Sequence, residues 1–171
     1  MTDPALARPL SRQRGKLVAV PDTPLSTAIY QLARAHKALA ASLLRDLGLY
    51  PNQELLLMQL EGVESRAQSE LVRALTLDHS TVAKSLRRLE RAGLISRRQS
   101  TSDGRAVDVS LTDRGAEIVA RVHAVWKQLE ATAADGLTPD DLNDAVTRMN
   151  AIQRRVEDEM SARRITPTIP G

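Results

Sequence analysis

The sequence predicts a mainly α-helical protein with a small β-hairpin, the wing, beside a helix-turn-helix. Apolar residues recur every three or four positions in several segments, which indicates amphipathic helices. Between residues 94 and 112 the period changes to two, which indicates two short strands. Residues 84–105 carry seven basic side chains against two acidic ones. Helices, a hairpin and a local basic surface are together typical of a winged helix-turn-helix attached to a helical dimerisation domain.

The first 22 residues show neither a helical nor a strand period and carry several prolines and arginines. We predict a flexible basic N-terminal tail over 1–22, which either contacts DNA or is simply solvated. A first dimerisation helix, 23–48, is expected to begin at Thr23-Pro24, an N-cap followed by proline, and to end at Gly48. Its apolar stripe includes His36 and is otherwise formed by Leu25, Ile29, Leu32, Leu39, Leu43 and Leu47.

Residues 49–114 are predicted to form the winged helix-turn-helix, a DNA-binding domain. After Pro51, a short leucine-rich helix is expected from Asn52 to about Leu60. Ser65 and Gln68 have the spacing of a capping box for a third helix that runs to Leu75. Asp78 is expected to cap a fourth helix. Its buried stripe is predicted to be Val82, Leu86 and Leu89, and its outward face to be Ser80, Thr81, Lys84, Arg87, Arg88 and Arg91.

The wing is predicted from two alternating runs. The first is Ile95, Arg97 and Gln99, and the second is Val107, Val109 and Leu111. The Ser-Thr-Ser-Asp-Gly segment between them is rich in turn-forming residues, and its Asp-Gly pair suits a hairpin.

Residues 115–162 are predicted to form dimerisation helices five and six, which begin at Thr112 and Thr138-Pro139, and 163–171 a flexible C-terminal tail. Each long terminal helix has a continuous apolar seam, which a monomer would leave exposed. The seams therefore favour pairing with a second copy, so that two recognition helices meet successive major grooves. The alternative is an intramolecular three-helix bundle.

Candidate DNA contacts lie on the fourth helix and the wing. Near the start of the helix, Ser80, Thr81, Lys84 and Ser85 are expected to reach bases or adjacent phosphates. Farther along, Arg87 and Arg88 are expected to meet the phosphate backbone, as are Arg97 and Arg98 on the wing. Arg105 is expected to enter the minor groove, oriented by Asp103. The alternatives are a solvated charged face, a turn aspartate and a strand-edge arginine.

His36, Tyr50 and Met58 are candidates for a small-molecule site, although each could instead be an ordinary interface or core residue. The absence of cysteine excludes disulfides and thiolate chemistry, and we expect no metal and no cofactor. No phosphate-binding glycine loop or nucleophile elbow is present, so we predict that the protein is not an enzyme. No targeting or membrane-spanning segment is apparent, so we expect a cytoplasmic protein.

Several strings carry a resemblance to a known family: G-L-Y-P-N-Q at 48–53, Q-S-E-L at 68–71, the segment 77–95, D-G-R-A-V at 103–107 and L-T-D-R-G at 111–115. In this order and spacing, over about residues 25–160, the chain resembles the MarR family of bacterial transcription regulators. It departs from the family pattern at Tyr50, Ala67 and Thr76, where the family usually has a capping hydroxyl, threonine and glycine.

The resemblance implies a homodimer whose winged domains bind a pseudopalindromic operator in double-stranded DNA. It also implies release by a small, often phenolic or anionic, ligand. We therefore predict a homodimeric repressor that responds to a ligand. The alternative is a winged-helix module that binds another protein without specific DNA binding.

Overall fold

The computed structural model describes residues 22–75, 78–99 and 106–165. The chain divides into two compact units, Met1–Lys37 and Ala38–Gly171. Six helices and three strands follow one another in the described part, and the mainly helical class with a small wing is confirmed. Their bounds are α1 Pro24–Arg45, α2 Gln53–Met58, β1 Arg66–Ala67, α3 Gln68–Leu75, α4 His79–Arg91, β2 Ile95–Gln99, β3 Val107–Leu111, α5 Asp113–Ala134 and α6 Pro139–Ala162.

The N-terminal unit contributes the first part of α1. Leu25, Ile29, Tyr30 and Leu32 expose between 44% and 58% of their surface in this structure. Leu25, Ile29 and Leu32 begin the apolar stripe that the sequence predicts, so this first part of the stripe is exposed in the single chain, whereas Leu43 and Leu47 near its end are partly buried. The tail predicted for 1–22 falls, except for its last residue, outside the described residues.

The end of α1 confirms the predicted stop signal, three residues before Gly48. Gly48 adopts a φ of 74°, and its N–H donates to Arg45 O. The Leu49 N–H donates to Leu44 O at 3.0 Å, so the two bonds form a Schellman motif. Leu49 is thereby turned into the core, where it is buried.

The start of α2 differs from the prediction, because Asn52 precedes the helix and adopts a left-handed φ of 70°. Its side chain makes no capping bond. Instead Gln53, which is buried, accepts a hydrogen bond from Tyr50 N–H at 2.9 Å. The backbone is therefore satisfied without the hydroxyl that Tyr50 replaces.

The helix-turn-helix is formed by α3 and α4. The predicted Ser65–Gln68 capping box is wrong, because α3 begins only at Gln68 and residues 66–67 pair with β3. Glu70 instead accepts a bond from Ala67 N–H at 3.2 Å. The prediction for α4 is confirmed: Asp78 caps it, and Val82, Leu86 and Leu89 are at most 1% exposed.

The wing is part of a three-stranded antiparallel sheet with order β1-β3-β2. Strands β2 and β3 pair from Ile95 opposite Leu111 to Gln99 opposite Val107, as the alternating pattern predicts. Val109 is fully buried at the centre of this sheet. Strand β1 was not predicted, because two residues are too few to show a period of two.

The core of the C-terminal unit extends beyond 49–114. Leu44 of α1 and Val119, Val122, Val125 and Leu129 of α5 are all buried within the same apolar cluster as the helix-turn-helix. The division into domains at 49 and 114 stays a prediction, but the buried side chains cross both boundaries.

The last helix, α6, has no fully buried residue. Its start is confirmed: Thr138 and Asp141 form a capping box, and the Thr138 hydroxyl lowers the pKa of Asp141. Val146, Met149 and Val156 expose about half of their surface. Across the part of the chain that the structure describes, no helix combines the length and apolarity needed to cross a membrane.

Candidate nucleic-acid interface

The outward face of α4 is basic and accessible. Lys84, Arg87 and Arg91 are exposed, and Ser80 is exposed one turn before Lys84. Thr81 and Ser85 are half-buried on the flanks. Because Lys84 follows Ser80 by four residues and Thr81 by three, these side chains share one helix face. The arrangement places hydroxyls beside cations on one accessible surface, and the cations can bind phosphates.

Asp78 fixes the start of this face by three hydrogen bonds. Its Oδ1 accepts from Thr81 N–H at 2.8 Å and from Ser80 Oγ at 2.6 Å. Its Oδ2 accepts from Thr81 Oγ1 at 2.5 Å. The Ser80 hydroxyl, followed by the Thr81 hydroxyl and the Thr81 N–H, holds the pKa of Asp78 far below its usual range. Asp78 is therefore a carboxylate at any pH near neutrality.

Arg88 and Tyr50 were predicted for different sites, and the structure brings them together. The Arg88 guanidinium carbon lies 4.9 Å from the centre of the Tyr50 ring, which is cation–π geometry. Tyr50 is 60% exposed. Arg88 is thus held at the side of α4 facing the α1–α2 connection, unlike Arg87.

The two wing arginines differ in their surroundings. Arg97 Nη1 lies 3.6 Å from Glu90 Oε2 of α4, and the Arg97 side chain is only 23% exposed. Its Nε is buried and has no hydrogen-bond partner among the residues that the structure describes. Arg98 is exposed, and its register partner is Asp108. Neighbours along a strand point to opposite faces, so only Arg98 shares the face of Asp108.

Asp103 and Arg105 lie outside the described residues, so their predicted roles at the wing tip stay predictions. The three candidate ligand residues, His36, Tyr50 and Met58, are each described by their own neighbours. His36 is exposed on α1 in the N-terminal unit. Met58 is partly buried and packs against the apolar core of the C-terminal unit, as does Trp126.

Among the described residues, no three His, Asp or Glu side chains are arranged to hold a metal ion. His123 Nε2 lies 2.8 Å from Glu61 Oε2, which links α5 to the segment after α2. This pair is a structural contact between elements.

Two features of the site could not be found from helix periodicity alone. The pairing of Glu90 with Arg97 depends on how α4 packs against β2. The orientation of the Ser80 and Thr81 hydroxyls depends on Asp78, although an aspartate with serine and threonine two and three residues later is a readable signal.

The comparison with family models gives one decisive match. Residues 49–107 match the model described as the MarR family. Residues 49–107 therefore form a MarR-family domain. The matched segment contains α2, α3, α4 and the first strand of the wing, which are the elements that form the candidate interface. The predicted resemblance to the MarR family, and with it to transcription regulators, is confirmed.

Solved structures of MarR-family proteins share the fold. A MarR crystal structure is 27% identical with a TM-score of 0.65, covering 85% of this chain and 96% of that one. A mutant Escherichia coli MarR in complex with operator DNA is 24% identical, with a TM-score of 0.66 and coverage of 75% and 93%. Bordetella bronchiseptica BpsR, studied for regulation of its DNA binding by 6-hydroxynicotinic acid, is 22% identical, with a TM-score of 0.60 and coverage of 74% and 98%.

Proposed function

We propose that this MarR-family chain binds a specific double-stranded operator as a homodimer and represses transcription until a small molecule releases it. The observation that carries the proposal is the exposed basic face of α4 in a winged helix-turn-helix. Lys84, Arg87 and Arg91 project from it, and the cap at Asp78 fixes where the helix begins. Cations on a recognition helix supply phosphate contacts, and the helix start reaches the bases.

The homodimer is supported by apolar surface on the terminal helices. Exposed apolar side chains occur on α1 and on α6, and α6 has no buried residue. An open hollow of about 390 Å³ lies near the end of α6, lined by Val156, Met160 and Ile165 together with three charged residues. Association of two copies would remove this surface from water. Two α4 helices would then face successive turns of the duplex.

Release by a small molecule is supported by the resemblance and by BpsR, whose DNA binding is described as regulated by 6-hydroxynicotinic acid. A phenolic or anionic ligand is the class that we propose for this chain, with His36, Tyr50 and Met58 as first candidates for mutation. We further propose that the protein acts in the cytoplasm and has no catalytic activity of its own.

DNA binding is tested by selecting genomic fragments with the purified chain and measuring the affinity for the enriched duplex against salt. With 6–10 phosphate contacts, affinity should fall on the order of 10³- to 10⁵-fold between about 50 and 200 mM salt. Arg87→Gln should weaken binding to all sequences and reduce the salt slope by about one. The matched control is Arg154→Gln, an exposed arginine on α6.

Two results would contradict the proposal. One is an enriched duplex whose affinity does not change with salt, and the other is the absence of any enriched duplex. If the chain instead captured an acidic protein through the same arginines, the protein-binding alternative would replace the repressor.

A further inference from the structure

The hydroxyl groups at the start of α4 have a fixed hydrogen-bonding polarity. Asp78 is ionised, and a carboxylate accepts hydrogen bonds but cannot donate them. Ser80 Oγ and Thr81 Oγ1 lie 2.6 and 2.5 Å from its two oxygens. In each of these contacts the hydroxyl must therefore be the donor. A hydroxyl has one hydrogen, so each residue has only oxygen lone pairs left for any other partner.

This polarity decides what the two side chains can contact on DNA. Phosphate oxygens only accept hydrogen bonds at neutral pH, so neither hydroxyl can bind a phosphate without leaving Asp78. Leaving would break a charge-assisted hydrogen bond and place a bare carboxylate near the phosphates. In the major groove, adenine N6 and cytosine N4 are donors, whereas guanine O6 and N7 and thymine O4 are acceptors.

Resting on the proposed function, we propose that Asp78 is a positioning residue that makes Ser80 and Thr81 hydrogen-bond acceptors. Through them, α4 selects an adenine or cytosine on one strand and rejects guanine or thymine there. The neighbouring Lys84 has three donors and no acceptor, so it recognises the opposite class of groups, guanine O6 and N7 or phosphate. The start of α4 therefore carries two adjacent contacts of opposite polarity.

The test is selection from a random duplex library of about 30 base pairs with the full chain and its variants. The double variant Ser80→Ala plus Thr81→Val removes both hydroxyls, so the position whose preference it changes is the position that they contact. In the wild type, this position should favour adenine or cytosine by roughly three- to tenfold. In the double variant the preference should disappear.

Asp78→Asn separates the polarity from the helix cap. Asparagine caps helices about as well as aspartate, so α4 should keep its start. Its amide takes the place of Oδ2 and can donate to Thr81 Oγ1, which frees the Thr81 hydroxyl hydrogen to turn outward, whereas Ser80 still donates to the remaining oxygen. The part of the preference that depends on Thr81 should then change toward guanine or thymine. Glu64→Gln, at an exposed carboxylate between α2 and β1, removes the same charge and should leave the preference unchanged.

The possible results distinguish failure of the proposed function from failure of the inference about Asp78. A wild type that enriches no duplex would end the proposed function and this inference with it. A wild type that enriches a motif would support the function, and the inference would then fail in either of two ways. Asp78→Asn could enrich the same motif as the wild type, or the position identified by the double variant could favour guanine or thymine. Circular dichroism and the melting temperature of each variant verify that it is folded.

Discussion

At the scale of single residues, Gly115 is the position where packing tolerates no side chain. A Cβ atom placed there would lie 2.0 Å from Leu94 O and 3.1 Å from Leu111 Cδ2. Leu94 O is a backbone atom and already accepts a bond from Thr112 N–H. The glycine of the L-T-D-R-G string is therefore required by the close approach of α5 to the end of the helix-turn-helix, and not by its backbone angles.

Gly115→Ala should destabilise the protein by about 3 kcal/mol or more, since the clash is with backbone and not with a flexible side chain. Urea denaturation measures the free energy of unfolding. Glycine-to-alanine changes in unconstrained helical positions have the opposite sign, by up to about 1 kcal/mol. A variant as stable as the wild type would show that α5 does not approach Leu94 this closely.

Glu54 of α2 is a carboxyl group buried in the protein. It is 6% exposed, and its Oε2 has no hydrogen-bond partner within the described part of the chain. Burial raises the pKa of Glu54, against backbone hydrogen bonds at Glu54 and Asn52 that lower it. The folded state therefore binds a proton more tightly than the unfolded state does.

Because the folded pKa of Glu54 is raised, its contribution to stability is present below the ordinary pKa and is lost as the pH rises through the folded value. Glu54→Gln should thus be more stable than the wild type at pH 7. The difference should shrink as the pH falls toward the ordinary value of 4.5. Denaturation of both proteins at several pH values measures this, and a constant difference would contradict it.

At the scale of elements, Thr112 joins α5 to the end of α4. Its Oγ1 accepts a bond from Gly115 N–H at 3.0 Å and donates to Gly93 O at 2.7 Å. Its own N–H donates to Leu94 O at 3.1 Å. One residue therefore caps α5 and holds the turn between α4 and β2, which fixes where the wing begins relative to the recognition helix.

Thr112→Val should destabilise the fold by about 1–2 kcal/mol through the lost cap and the lost bond to Gly93. It should also weaken DNA binding, because the wing is held less firmly. Thr138→Val is the matched control, since Thr138 caps α6 without a bond to the helix-turn-helix. The control should lower the melting temperature but leave the dissociation constant for operator DNA within about twofold. Equal losses of affinity in both variants would contradict this role.

The elements also show how far the sequence can be interpreted. The caps at Asp78, Thr112 and Thr138 were predictable, since each is a local side chain bonding to a nearby N–H. The start of α2 was not, because the bond from Tyr50 N–H goes to Gln53, a residue outside the usual cap preferences. Likewise, the Arg98 exposure follows from strand alternation, whereas the Arg97–Glu90 pair requires the packing of β2 beside α4. Three caps formed by the usual residue types could be predicted, whereas the bond to Gln53, the failure of the Ser65–Gln68 box and the contacts between elements needed the structure.

At the scale of the whole molecule, the exposed apolar side chains of α6 predict assembly. Met149→Glu combined with Val156→Glu would place two charges in a surface that we expect a second copy to cover. The variant should be a monomer of 18.7 kDa by light scattering, where the wild type has twice that mass. Operator affinity should fall with it, because the two half-sites would no longer be bound together.

The matched control for assembly is Thr147→Glu. Two residues correspond to about 200° around a helix, so Thr147 lies on the side of α6 away from Met149. It should stay a dimer. A wild type that scatters as a monomer would favour the intramolecular bundle. A double variant that remains a dimer would show that Met149 and Val156 do not lie in the interface.

The hydrogen bonds of Thr112 make the start of α5 move together with the end of α4. One end of this 22-residue helix is tied to α4, and the helix extends about 33 Å from that pivot. Because α5 is also buried from Val119 to Leu129 in the same apolar cluster as α4, the two helices would tilt together, and a tilt of about 5° would displace the far end of α5 by about 3 Å. In a dimer, a displacement of a few ångströms at the far end of α5 would thus change the spacing between the two α4 helices without breaking any hydrogen bond near the duplex.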